Sequence, residues 1–519
     1  MSLAYGLRQP CDGEPVGGSC EPCVENTRRW VLIVSVLGSS LAFIEGSIVN
    51  LALPALQVDL ELDSVGLQWV VNAYLLALSS LVLVGGAAGD RFGIRQIFVL
   101  GLVLFGLSSG ACGLVNDPHW LIAWRAAQGA GSALLVPTSL ALLNVHFDPE
   151  ERPRAIGIWA GASALTTALG PLLGGALVDH IGWRAIFLVM LPLTALTCTM
   201  ALAKVPGRSG DAGRRLDLLG ALLLVAALGP LTLVLASIGS GDNQTAALLI
   251  GLVALAGFLV YESRTAEPML PLPLFREPTF GGANAMTVLL YFALGGALYF
   301  VPFNLIQVQG YSALQAGLAF LPLTLLLGLG SVVAGEQLKR RSPRRLLTAG
   351  AGLTGVGFAL LAIPATTSSY LVHWLPGIAT IGVGMTLCVA PLTTVIMTSV
   401  EESQSGVASG INNLAARMAG LLAIAALTSL AVYWFRGELN QALGTLALSD
   451  DSRALLLARA HELAGISLTS VDDTVALREA ILESYVAVFR QLMFLCAGLA
   501  ATAAVIAWST IRQGPPQPS

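Results

Sequence analysis

A glutamate and an arginine stand where apolar sequence ordinarily excludes charge. Glu45 lies inside the apolar run that begins at Trp30, and Arg125 lies inside the run 120–146. A charge at bilayer depth costs about 2.5–3.5 kcal/mol or more, so such residues mark ion or substrate paths unless they pair for structure alone. Burial disfavours the charged form of a carboxyl group, which lets it exchange a proton near neutral pH. Glu45 is about nine residues from the outer end of its helix, roughly 13 Å deep, and Arg125 is about five residues in, roughly 8 Å deep. The two could meet directly or through water, and Arg125 would then govern when Glu45 gives up its proton. The plain alternative is a static ion pair. Gln128 follows Arg125 at i+3, on the same helical face.

Other residues suggest movement or binding. Asp90, Arg91, Gly93 and Arg95 form a tight charged turn whose glycine permits the reversal and whose charges can pair with helix ends, a latch for conformational gating. Gly170-Pro171, Gly174 and Gly175 strip side chains from one helix face, where backbones can approach closely and Pro171 bends the run. Asn72, Tyr74, Gln128, Asn284, Tyr291, Phe292, Asn304 and Gln307 are polar or aromatic residues in apolar runs. They are candidates for contact with a substrate, or equally for hydrogen bonds between helices.

Weaker signals resolve into bland readings. Gly106-Leu-Ser-Ser-Gly110 has the spacing of a nucleophile elbow but no strand before it, so small-residue packing explains it. Cys11, Cys20 and Cys23 lack a fourth ligand nearby for zinc, and His461-Glu462 has no second histidine at zincin spacing. No metal site and no cofactor are expected.

The elements that must hold these residues follow from composition. The 519 residues are 55% hydrophobic and only 11% charged, against roughly 25% charged in soluble domains; mean hydropathy is +0.76. That is too little charge to coat a soluble core of this size. Apolar segments recur at about 30–55, 66–88, 97–115, 120–146, 155–178, 184–204, 218–239, 245–261, 280–308, 314–338, 346–365, 371–399, 407–435 and 485–511. At about 20 residues per span, this predicts an all-α polytopic membrane protein with fourteen helices. A net charge of −4 with only two lysines, Lys204 and Lys339, argues against nucleic acid. Neither lysine is followed by Ser or Thr, so no ATP-binding phosphate loop exists.

Of the 27 lysines and arginines, nineteen fall in segments that share one side if both termini are cytoplasmic; one falls in the short loops opposite. The positive-inside rule therefore places both termini inside. Val84 to Arg95 aligns without gaps on Val333 to Arg344, with Gly101 meeting Gly350. Parallel repeats of this kind relate two six-helix transporter halves. The predicted organisation is a tail at 1–29, a six-helix bundle at 30–205, an inserted helix pair with its loop at 206–261, a second bundle at 262–511 and a tail at 512–519. Loop 436–484 has helical periodicity. It reads as a cap over the outer mouth or as a docking surface for a periplasmic adaptor or other protein.

The stretches Ala42 to Pro54, Trp69 to Tyr74, Gly86 to Arg95, Arg125 to Gly131 and Gly170 to Gly175 resemble, in order, the signature motifs of the major facilitator superfamily. More narrowly they resemble its fourteen-helix drug:proton antiporters. The resemblance implies a major-facilitator-type fold and export by alternating access. It implies proton coupling at Glu45, a coupling role for Arg125, and gating by the Asp90 loop and the Gly170-Pro171 stretch. Three positions depart from the family pattern: Glu45 stands where Asp is usual, Ile94 replaces a basic residue, and Lys339 occupies the second-half equivalent of Asp90.

The expected function is a proton-coupled exporter of hydrophobic drug-like compounds in a bacterial inner membrane, powered by the proton gradient, with the lipid bilayer, small substrate and protons as partners. Rival readings are an exporter of an endogenous lipid, siderophore or metabolite, and a non-transporting sensor or assembly partner.

Overall fold

The computed structural model describes residues 21–148, 151–207, 217–236, 244–265, 268, 270–328, 330, 342–401, 405–446, 448–466 and 475–512. The helices are α1 (Glu21–Asp59), α2 (Ser64–Phe92), α3 (Ile94–Leu114), α4 (Pro118–His146), α5 (Arg152–His180), α6 (Arg184–Leu188), α7 (Met190–Lys204), α8 (Leu218–Ala236), α9 (Gln244–Arg264), α10 (Pro278–Phe303), α11 (Ala313–Ala319), α12 (321–328), α13 (Pro343–Leu361), α14 (Leu375–Thr398), α15 (Ser405–Leu443), α16 (Asp450–Ala458) and α17 (Val475–Thr510). Each predicted apolar stretch carries helix. Ten helices among the described residues are long and apolar enough to cross a membrane; the expected count of fourteen is not reached among them.

Chain reversals occur where local chemistry demands. Gly93 takes φ 103° between α2 and α3, a conformation costly for any residue with a Cβ. Asp63 and Asp117 cap α2 and α4 by accepting backbone N–H bonds from Gly66 and from His119 and Trp120.

Helices α1 to α7 pack on one another, with α4 against α2 and α3, α1 against α5, and α3 against α7. Helices α10, α13, α14, α15 and α17 pack likewise, and α5 on α11 and α2 on α15 join the two groups. The α8–α9 pair docks through Leu224, Leu228 and Phe258 on Leu75, Leu76, Leu414 and Leu421, across the seam between α2 and α15. The repeat glycines hold matching places. A Cβ on Gly101 would crowd Leu134 and Gly131 of α4, and one on Gly350 would crowd Gly384 and Cys388 of α14. The second copy of the charged turn, 333–341, lies outside the described residues, as do Cys11, Cys20 and the side chain of Cys23.

Segment 436–484 differs from an ordinary loop. Helix α15 runs on to Leu443, α17 begins at Val475, and between them α16 leads into a 3-10 turn at Ala460–Gly465.

Candidate functional site

Glycines in α4 let its backbone close on α2 and α3, and the charge cluster forms where α4 and α2 meet α1. A Cβ on Gly129 would lie 2.3 Å from the Tyr74 carbonyl of α2, and one on Gly131 would lie 2.7 Å from the Phe105 amide of α3. Backbone thus meets backbone, and long side chains one turn away reach across.

Arg125 is the centre of that cluster. Its Nη1 donates to Glu45 Oε1 at 2.5 Å and to Gln128 Oε1 at 2.6 Å, and its Nε donates to the Val70 carbonyl at 2.9 Å. The guanidinium also lies 4.5 Å from the Tyr74 ring centroid and 5.7 Å from that of Phe187. Tyr74 is fixed in turn, donating to the Ala42 carbonyl at 2.9 Å and lying 3.0 Å from Ser132 Oγ. Glu45 is 0% and Arg125 1% exposed, so the pair is shielded from solvent. Desolvating two charges is expensive and is offset only when each finds close partners. Arg125 has them; Glu45 Oε2 and Gln128 Nε2 make no hydrogen bond. A rearrangement that moves the proton or the helix therefore has unused bonding capacity available on the Glu45 side.

The other sequence candidates separate. Asn72 is buried in α2 with both amide atoms unbonded. Asn284 donates to the Phe280 carbonyl of its own helix at 2.9 Å. Tyr291 and Phe292 are half-buried on α10, and Asn304 opens the π turn Asn304–Val308. Gln307 belongs elsewhere: its Nε2 donates to Gln57 Oε1 at 3.0 Å, at the end of the bundle opposite the basic turns. In the charged turn Asp90 is half-buried. Arg91 stacks on Phe92 at 5.3 Å, and Arg95 donates to the Val205 carbonyl at 2.9 Å, which ties the turn to the end of α7.

The sequence reading missed Asp179. Its carboxylate accepts from the first two backbone amides of α11, Ala313 at 3.0 Å and Leu314 at 2.8 Å. A charge at a helix N-terminus meets unpaired N–H groups and the positive end of the helix dipole. One turn deeper α5 and α11 touch backbone to backbone. A Cβ on Gly175 would lie 2.4 Å from the Ala313 carbonyl, and one on Gly317 would lie 2.3 Å from that of Pro171. Gly170 and Pro171 are both buried there. The 3-10 turn completes this end, with the Glu462 carbonyl accepting from Gln57 Nε2 at 3.3 Å. The end opposite the basic turns is thus closed by contacts between the two helix groups.

The arrangement sets a buried carboxyl group with one unbonded oxygen against an arginine, and joins the two helix groups through a glycine-lined seam. Known proteins resemble the chain in sequence and in fold. The chain is 35% identical over 422 residues to the multidrug resistance protein Stp of Mycobacterium tuberculosis, covering 80% of this chain and 78% of that one. It is 34% identical over 409 residues to the tetracenomycin C resistance and export protein of Streptomyces glaucescens, covering 77% and 75%. A bacterial homologue of the human lysosomal transporter Spinster, solved inward-facing and unoccupied, superposes with a TM-score of 0.66 at 18% identity, covering 96% of this chain and 100% of that one. Residues 35–424 match the Major Facilitator Superfamily, so the chain belongs to that family and is a multi-pass membrane transporter, not an enzyme.

Proposed function

We propose that the protein exports hydrophobic drug-like compounds across a bacterial inner membrane by alternating access, driven by inward proton flow, with both termini in the cytoplasm. The observation that carries the proton coupling is the shielded Glu45–Arg125 pair, in which Glu45 Oε2 has no hydrogen bond. The names of its relatives, resistance proteins and drug exporters, support the cargo class.

In the proposed cycle a proton from outside neutralises Glu45 and cancels its attraction to Arg125. Arg125 keeps Gln128, Val70 and Tyr74, so α4 and α2 stay joined while the Glu45 carboxyl group of α1 is free to leave the guanidinium. Deprotonation towards the cytoplasm restores the pair as cargo binds. Each pH unit supplies about 1.4 kcal/mol per proton, and the membrane potential adds about 2.3 kcal/mol per 100 mV for each net charge moved.

The test is dye uptake into inside-out vesicles under an imposed acid-inside gradient, wild type beside Glu45→Gln. The expected result is gradient-dependent uptake that disappears in the variant. Equal uptake in both would remove Glu45 from the mechanism.

A further inference from the structure

A second arginine lies within an apolar span, and its surroundings are unlike those of Arg125. Arg417 is the thirteenth residue of α15, half-buried. Among the described residues no carboxylate and no hydrogen-bond acceptor is paired with it. Its guanidinium lies 6.0 Å from the ring of Phe43 on α1, with Tyr74 and Tyr291 within electrostatic reach. Phe43 precedes Glu45 by two residues, so the two side chains leave α1 on nearly opposite faces. The Glu45 carboxylate is therefore committed to Arg125 and turned away from Arg417.

The same phenyl ring carries a second unspent donor. Trp159 of α5 packs edge-on against Phe43 with centroids 6.3 Å apart, and its indole Nε1 is buried without a hydrogen-bond partner. Guanidinium and indole are donors only. Gly46, at i+3 from Phe43, and Gly420, at i+3 from Arg417, have no atom within 4 Å of where a Cβ would stand. Donors without acceptors, apolar rings and free volume together describe a place for a molecule that brings its own anionic acceptor.

We propose that Arg417 and Trp159 form an anion subsite on the transport path, which takes the carboxylate of an amphipathic aromatic acid while the Phe43 ring packs on its apolar body. This rests on the exporter reading and names its cargo class. Loading is then attractive whether or not Glu45 is protonated, because the ionised pair with Arg125 is neutral and Arg417 contributes its charge in both states.

The experiment titrates the purified full-length protein with 9-anthracenecarboxylate and, in parallel, with its uncharged carboxamide, reading fluorescence anisotropy. Wild type should bind the acid about tenfold tighter than the amide, the size expected for hydrogen bonds to a charged group. Arg417→Gln should lose about that tenfold for the acid and leave the amide unchanged. Arg417→Lys should retain part of the preference, and Trp159→Phe, which keeps a ring and removes the N–H, should cost the acid about threefold. These two milder changes keep the test decisive if Arg417→Gln fails to fold. Equal affinities in wild type, no binding of either probe, or an equal loss for both probes in Arg417→Gln would overturn the subsite. Vesicle uptake separates the two readings. Gradient-driven uptake of the amide without preference for the acid leaves the exporter and removes the subsite. Tight binding of the acid with no gradient-driven uptake of either probe leaves the subsite and removes the exporter.

Discussion

Arg125 and Arg417 are the same side chain, each within an apolar span, yet one is saturated and, among the described residues, the other is open. Arg125 spends its donors on Glu45, Gln128 and Val70 and lies over Tyr74 and Phe187. Arg417 has the Phe43 ring and, among the described residues, no acceptor. The difference follows from the neighbours. Glycines at 129 and 131 draw α4 against α2 and α3, so a side chain from α4 finds backbone and polar partners within reach. The Arg417 guanidinium of α15 meets the Phe43 ring of α1, and neither Gly46 nor Gly420, each at i+3 from one of these residues, has an atom within 4 Å of where a Cβ would stand. A saturated charge is structural and can serve as a coupling element only if its partner is titrated; an open one is available to something that arrives.

Stability should divide the two most sharply. Arg125→Met strands the Glu45 carboxylate and should cost about 3–5 kcal/mol, whereas Arg417→Met removes a charge with no anion to strand and should stay within about 1 kcal/mol of wild type. Thermal unfolding in detergent reads both, and equal losses would erase the distinction. A double-mutant cycle sharpens it. Glu45→Gln with Arg125→Gln should show coupling of up to about 3 kcal/mol, while Glu45→Gln with Arg417→Gln should be additive within about 0.5 kcal/mol. Coupling in the second pair would mean that Glu45 serves both arginines.

A third prediction tests what holds the far end closed. Gly317→Leu drives a side chain into the Pro171 carbonyl of α5, an overpacking that should cost about 1–3 kcal/mol. It should hold the seam apart, so that a cysteine placed at Gln307 reacts faster with a membrane-impermeant maleimide. Unchanged labelling would mean that closure does not need this contact. The smallest effect is expected at the mouth of α4, which positions Arg125. The Trp120 backbone N–H, and after it that of His119, hold the Asp117 carboxyl below the usual carboxylate range. A depressed carboxyl stabilises the folded state above its unfolded pKa and loses that contribution as pH falls through its folded value. Hydrogen exchange in the first turn of α4 should therefore gain slightly in relative rate only under acid conditions, below about pH 4, and Asp117→Asn should abolish that pH dependence.

The Glu45–Arg125 pair was legible in the sequence because a charge in an apolar span is conspicuous and depth along a helix can be counted. Glu45 and Arg125 were placed at similar depth by that count, and Gln128 by helical spacing; the structure joins all three. Tyr74 was legible as unusual but not as the platform beneath Arg125, because one sequence does not show how α2 faces α4. Arg417 was visible as a charge within a helix. Its meaning depends on Phe43 and Trp159, hundreds of residues away, and no periodicity reports that meeting. Asp179 stands at a helix end, where acids are ordinary, so its capping of α11 had no local signal. The glycines of α5 did signal a close approach, though not the partner. Gln307 reads in sequence as a pocket residue or an interhelical hydrogen bonder, and the structure pairs it with Gln57 at the closed end.

The contact of Gly175 with Ala313 and of Gly317 with Pro171 has a mechanical consequence. At these two points backbone meets backbone with no side chain between, so in the proposed alternating access no rotamer has to change there for α5 and α11 to part. Such a junction behaves as a bearing with little friction, and the carboxylate of Asp179 on the α11 amides acts as a detent that marks its rest position.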